Sequence, residues 1–226
     1  MKVTYYGHSC FSVNVGNRNL LFDPFITPNE QAKHIDISKI PADYLLISHG
    51  HADHIADAVA IARRTGATVL SNFEITVWLE NQGIHKTHPL NHGGGCSLDF
   101  GRVKFVNAIH SSSLPDGAYG GNPGGFVVET AEGSFYYSGD TALTLDMQLI
   151  GESTKVKWAA LPIGDNFTMN VDDALRASEF IQCHEIFGIH YNTFPPIQID
   201  TGEAVRKFAA KGRNLRLLKV GETRDF

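Results

Sequence analysis

Along the chain, short apolar runs separated by polar turns are interleaved with stretches that follow the helical period. Val3–Tyr6, Phe11–Val15 and Leu20–Phe22 carry the β-branched and aromatic residues of strands, and Gly16-Asn17 between the last two marks a hairpin. Tyr44–Ser48 is nearly continuous in apolar residues, as expected of a strand buried on both faces. Asp53–Arg64 predicts a helix, with Arg63 and Arg64 in its last turn and Gly66 placed to end it. Ala67–Ser71 returns as a strand and Phe73–Asn81 as a helix stopped near Gly83. The second half predicts strands at Val103–Ala108, Gly125–Thr130, Phe135–Ser138, Trp158–Pro162, Ile186–Ile189 and Leu215–Leu218, and helices at Val171–Cys183 and Thr201–Ala210. Alternation of strands and helices in both halves implies a layered α/β architecture, with sheets inside and helices covering them.

No Pro/Ser-rich linker or low-complexity segment divides the chain, so one domain over residues 1–226 is expected, with a mobile loop at Gly117–Gly125, where five glycines fall. The 226 residues are 42% hydrophobic and 19% charged, enough to bury a large core. A net charge of −5 supplies no basic field for a phosphate backbone. A small-molecule substrate therefore fits better than nucleic acid, and self-association stays open. Residues 1–30 lack a secretory apolar core, and no apolar run reaches about 18 residues. A cytoplasmic protein with no membrane partner is the expectation. Cys10, Cys96 and Cys183 have no C-x-x-C spacing and read as small hydrophobes.

The eleven histidines change the picture, because several directly follow strand-like runs. Ser48-His49-Gly50-His51-Ala52-Asp53-His54 leaves a buried strand and opens a helix. In its extended part, residues two apart point the same way, so His49 and His51 can share one ion. Asp53 and His54 diverge as the helix begins and can serve a second. Nitrogen and oxygen ligands together suit Zn²⁺ or another borderline divalent ion, with Mn²⁺ or Fe²⁺ as alternatives, better than Ca²⁺ or Mg²⁺. His110, Asp140 and His190 each follow a later predicted strand and supply what the cluster lacks: a further His for each ion and a carboxylate able to bridge them. His85, His88 and His92 have helical spacing, but Pro89 breaks the helix that a third site would need.

The motif H-x-H-x-D-H at 49–54, His110, the Gly139-Asp140-Thr141 turn and His190 resemble, in order and spacing, the ligand set of the metallo-β-lactamase superfamily. Tyr5–Phe11, Phe22–Phe25, Pro162–Met169 and His190–Pro195 closely resemble a branch of small prokaryotic metal-dependent hydrolases related to the L-ascorbate-6-phosphate lactonase. The resemblance implies a four-layer αβ/βα sandwich of two mixed sheets flanked by helices, with metals at one sheet edge. It implies His49, His51 and His110 at a first metal, Asp53, His54 and His190 at a second, and Asp140 between them. It also implies that Asp23 orients a ligating His and that His8 faces the active site, alongside the alternative readings of both as turn residues. Asp165, Asn166, Asn192 and Thr193 follow strands at the same edge, and Asn166 and Asn192 are candidate substrate contacts. Water activated by two metals would cleave an ester-like bond, with Asp53 as proton carrier and His8 as second candidate. The competing readings are an iron-dependent oxidoreductase of the same fold and a non-catalytic metal-binding module.

Overall fold

In the computed structural model all 226 residues are described. The first half gives β1 (Lys2–Gly7), β2 (Cys10–Val15), β3 (Arg18–Phe22), β4 (Tyr44–Leu46), α1 (Ala52–Ile55), α2 (Ala58–Thr65), β5 (Thr68–Asn72), α3 (Phe73–Asn81) and β6 (Thr87–Leu90). The second gives β7 (Gly95–Leu98), β8 (Gly101–Asn107), β9 (Gly124–Thr130), β10 (Gly133–Tyr137), α4 (Asp146–Ser153), β11 (Val156–Pro162), α5 (Val171–Phe180), β12 (Glu185–Ile189), α6 (Thr201–Ala210), β13 (Asn214–Arg216) and β14 (Thr223–Asp225).

These strands make two seven-stranded mixed sheets, ordered β14-β1-β2-β3-β4-β5-β6 and β13-β12-β11-β10-β9-β8-β7. Each sheet is antiparallel where hairpins connect its strands and parallel where longer crossovers do: β3 to β6 in one, β10 to β13 in the other. Burial follows the same division. In antiparallel β8, Val103 and Phe105 are buried while Arg102 and Lys104 face solvent, whereas Trp158–Leu161 of parallel β11 are all inaccessible.

Between the sheets lies an aromatic core in which Phe11 stacks on Phe22 and Phe135 on Trp158, both at 4.6 Å between ring centres. Each such side chain contributes about 1.5–3 kcal/mol by leaving water. Two further apolar layers join the first sheet to α2 and α3, and the second sheet to α4, α5 and α6. The result is the expected helix–sheet–sheet–helix sandwich. No helix is long and apolar enough to cross a membrane.

Several expectations need correction. The helix expected over Asp53–Arg64 is two helices, because buried Asp57 turns its carboxylate to Ile26 N and Thr27 N, at 2.7 and 2.8 Å, and so ties the chain to the loop after β3. His88, assigned to no element by the sequence, lies in β6, an edge strand that tolerates Pro89. Gly124, expected in the glycine-rich loop, belongs to β9. The strands β6, β7 and β14 and helix α4 were not anticipated. β14 is an entirely exposed three-residue strand whose place is set by pairing with β1, from the far end of the chain.

Candidate metal centre

Strands β1, β3, β4 and β5 run in one direction and end at one edge, as do β8, β10, β11 and β12 in the second sheet. Carboxyl ends of strands in layered α/β folds leave a crevice where ligands bind. The residues that follow these ends are His8, Asp23, Ser48–His54, His110, Asp140, Asp165-Asn166 and His190. Six of the seven non-glycine residues with positive φ lie here: His8, Asp23, Asp165, Asn166, His190 and Asn192. Strain concentrated at one edge indicates that side chains are held there at a conformational cost for a purpose.

Two glycines make this arrangement sterically possible. Gly139, at φ 62°, turns the chain after β10, and a Cβ there would lie 2.5 Å from Gly124 O. At Gly164 a Cβ would lie 2.1 Å from His190 O, so the loop after β11 passes directly against the His190 backbone. Gly164→Ala is expected to displace His190, cutting activity by more than about tenfold and lowering stability by roughly 1–3 kcal/mol. Thermal unfolding and turnover check it; wild-type values in both would show that the contact is not limiting.

Asp140, buried, joins the two halves of the cluster. Its Oδ2 lies 2.9 Å from His190 Nε2, 3.3 Å from His54 Nε2 and 3.7 Å from His110 Nε2. His49, His51 and His110 form one group able to hold an ion, and Asp53, His54 and His190, with His8 beside them, form another. Within each group the donor atoms lie within 4.8 Å of one another. His54 Nδ1 pairs with Asp23 at 2.7 Å, which leaves the Nε2 lone pair aimed into the cluster. That Nε2 and Asp140 Oδ1 are buried without a hydrogen-bond partner. A buried lone pair left unsatisfied is costly, so the donor set fits a bound cation.

The electrostatics agree. Burial alone would push the Asp140 carboxyl up, but His190 and His54 outweigh it and hold it well below the usual range. For His54 burial is opposed by Asp140 and Asp23, which raise its pKa well above the ordinary value. Burial and neighbouring imidazoles instead lower His49, His51 and His110, and they lower His8 to about 4. Below the ordinary value of 6.5 the unfolded chain protonates all of these, whereas in the metal-stripped folded chain the four lowered imidazoles resist protonation. The contribution of His54 is already complete by that pH, so nothing from it offsets the loss. The metal-stripped protein should therefore lose stability as pH falls from 6.5 towards 4. A melting temperature unchanged between pH 6.5 and 5 would contradict this.

Asp23 is fully buried and accepts from Ser48 N (2.8 Å), Ser48 Oγ (2.5 Å) and Tyr137 OH (2.5 Å) as well as from His54. The expectation that it orients a His agrees with this geometry, whereas Ser48 and Tyr137 escaped notice because nothing local marks them as its partners. His8 lies beside the candidate ligands, its donor atom within 4.8 Å of those of Asp53, His54 and His190. It is fully buried, with Nε2 3.1 Å from Asp53 Oδ2 and Nδ1 2.9 Å from Thr193 Oγ1, so it acts on Asp53 from behind. Asn192 Oδ1 accepts from Ile199 N and its backbone carbonyl from Gln31 Nε2, which fixes the turn after His190, and the residue is half-buried at the edge. Asn166 is exposed at the edge and remains available to a ligand. Ser111 Oγ lies 3.3 Å from His51 Nε2, and Ser112 Oγ accepts from Gly50 N and donates to Gly120 O, bracing the His49–His51 turn.

Residues 2–190 match the model of the β-lactamase superfamily domain. A UPF0173 metal-dependent hydrolase of Flavobacterium johnsoniae is 52% identical over 223 residues, and one of Methylacidiphilum infernorum is 53% identical over 223, each covering 99% of both chains. Among solved structures, Igni18, a metallo hydrolase from the hyperthermophilic archaeon Ignicoccus hospitalis, superposes with a TM-score of 0.89 at 37% identity, over 100% of this chain and 98% of that one. With its sandwich fold and its histidine–aspartate cluster at the carboxyl edge, the chain belongs to the UPF0173 metal-dependent hydrolases of the β-lactamase superfamily.

Proposed function

We propose that the chain uses two divalent metal ions to hydrolyse an ester-like bond, such as a lactone, carboxylic ester or phosphoester, in a small molecule. The observation that carries this reading is the position of Asp140, whose one carboxylate reaches imidazoles of both groups. His49, His51 and His110 would hold one ion, Asp53, His54 and His190 the other, and Asp140 would serve both. The all-nitrogen-and-carboxylate donor set favours Zn²⁺, with Mn²⁺ or Fe²⁺ as alternatives. Bound there, such ions supply Lewis acidity that lowers the pKa of water and polarises the scissile group.

The remaining work falls to the chain. Asp53, whose side chain keeps 30% of its surface exposed, is the carboxylate placed to take a proton and return it to the leaving group. His8, neutral near pH 7, donates Nε2–H to Asp53 and fixes its orientation. Asp23 fixes the His54 tautomer. Asn166 stands where it can donate to a substrate oxygen.

The test is a panel of lactones, carboxylic esters, thioesters and phosphodiesters run with metal-replete protein, with His51→Ala as the blank. Chelation should reduce turnover by at least about a hundredfold, and Zn²⁺ or Mn²⁺ should restore it. Hydrolysis that survives chelation, or that persists in His51→Ala, would refute the reading.

A further inference from the structure

The carboxyl-edge loops that carry the candidate ligands lack Lys and Arg. All 19 Lys and Arg residues lie outside residues 40–62, 65–85, 105–154, 158–175 and 177–205, the stretches that supply the seven candidate ligands and the edge loops after β4, β5, β8, β10, β11 and β12, while exposed Lys219 stands apart in the loop after β13, beside the end of β1. Within the segment that follows β3, Lys33 pairs with Glu30 and Lys39 with Asp36. Acidic Asp116 and Asp165 stand on two of the edge loops. An anionic group lying over the loops after β8, β10 and β11 would therefore meet no side-chain cation from those loops.

Part of the same edge is apolar where it reaches solvent. Of the eight exposed large hydrophobic residues, Phe73, Ile109, Tyr119, Leu145 and Phe167 lie on or just beyond the carboxyl-edge turns. Ile109 and the turn of Phe167 are bonded to the segment that follows Asp140, and Leu145 comes five residues after Asp140 in the chain. Ile109 is bonded through its backbone to Thr141 Oγ1 and Ala142 N, and Met169 N donates to Thr141 O, closing the turn that carries Phe167. Leu145 begins the turn into α4. Ile109, Leu145 and Phe167 are 53%, 68% and 56% exposed. Exposed apolar residues rimming a polar cluster mark a surface made to be covered.

We infer that the part of the substrate outside the scissile group is uncharged and apolar, an alkyl or aryl substituent seated against Ile109, Leu145 and Phe167. The inference rests on the proposed hydrolase reading and narrows it. Burying an unpaired carboxylate or phosphate against this rim would cost more than any contact there returns. A phosphorylated lactone is thus a poor substrate, despite the resemblance to the L-ascorbate-6-phosphate lactonase branch.

Calorimetric titration of the metal-loaded protein with octanohydroxamic acid and with suberic acid monohydroxamate tests this, because the two share a metal-binding head and chain length and differ by a terminal carboxylate. The apolar compound should bind at least about tenfold more tightly, a difference of about 1.4 kcal/mol. Phe167→Lys should narrow or reverse that ratio, and Lys33→Ala should leave it unchanged. Turnover of 4-nitrophenyl octanoate against mono-4-nitrophenyl suberate should show the same preference in kcat/KM. Equal affinities overturn the inference while leaving the metal reading intact; binding of neither hydroxamate removes both. A Phe167→Lys variant that changes oligomeric state, read by light scattering, without changing the ratio would assign the rim to contact between copies and overturn the inference as well.

Discussion

Asp140→Asn should reduce turnover by at least about a thousandfold and lower the metal content of the purified protein, with the fold retained. The expectation follows from position. Asp140 is 2% exposed and its Oδ2 is the one atom close to His54, His110 and His190 together. The amide keeps the volume but removes the negative charge, and it turns one oxygen into a donor facing imidazoles. Both groups of candidate ligands then lose their shared member, whereas a change at His51 touches only one. Metal analysis alongside kinetics separates the effects: content near one ion per chain would mean that Asp140 holds the second ion, and unchanged content with unchanged rate would exclude it as a bridge. Asp140→Ala should behave at least as severely.

A second large effect is expected at Asp23. Four donors converge on this buried carboxylate, and one of them, Tyr137 OH, comes from the opposite sheet. Asp23→Ala leaves all four unpaired, which should cost about 3–5 kcal/mol of stability. Asp23→Asn keeps the shape, but its NH₂ must face a donor, so His54 loses its fixed tautomer and metal affinity should fall about 10–100-fold. Tyr137→Phe is the control, removing one donor and leaving the His54 contact intact, for about 1–1.5 kcal/mol of stability and little change in metal affinity. If Asp23→Asn and Tyr137→Phe weakened metal binding equally, Asp23 would be acting through packing rather than through His54.

The alternation of strand-like and helical periods foretold the layered architecture because burial imposes period 2 on a sheet face and 3.6 on a helix stripe. Phe73–Asn81 and Thr201–Ala210 matched residue for residue, each with a capping side chain, Asn72 and Asp200, immediately before it. The metal cluster was also legible, since His49, His51, Asp53 and His54 are near neighbours and His110, Asp140 and His190 each follow a strand. What local pattern could not carry was any choice made by a distant partner. The break at Asp57 depends on backbone amides of Ile26 and Thr27, and β14 exists because β1 offers it an edge. His8 and Asn192 read as edge residues, and tertiary packing set His8 against Asp53 and bonded Asn192 Oδ1 to Ile199 N in its own loop. Sequence alone therefore determined which side chains reach the carboxyl edge. Only the folded chain decided which way each one faces, because orientation depends on hydrogen bonds between residues as far apart as Asp23 and Tyr137.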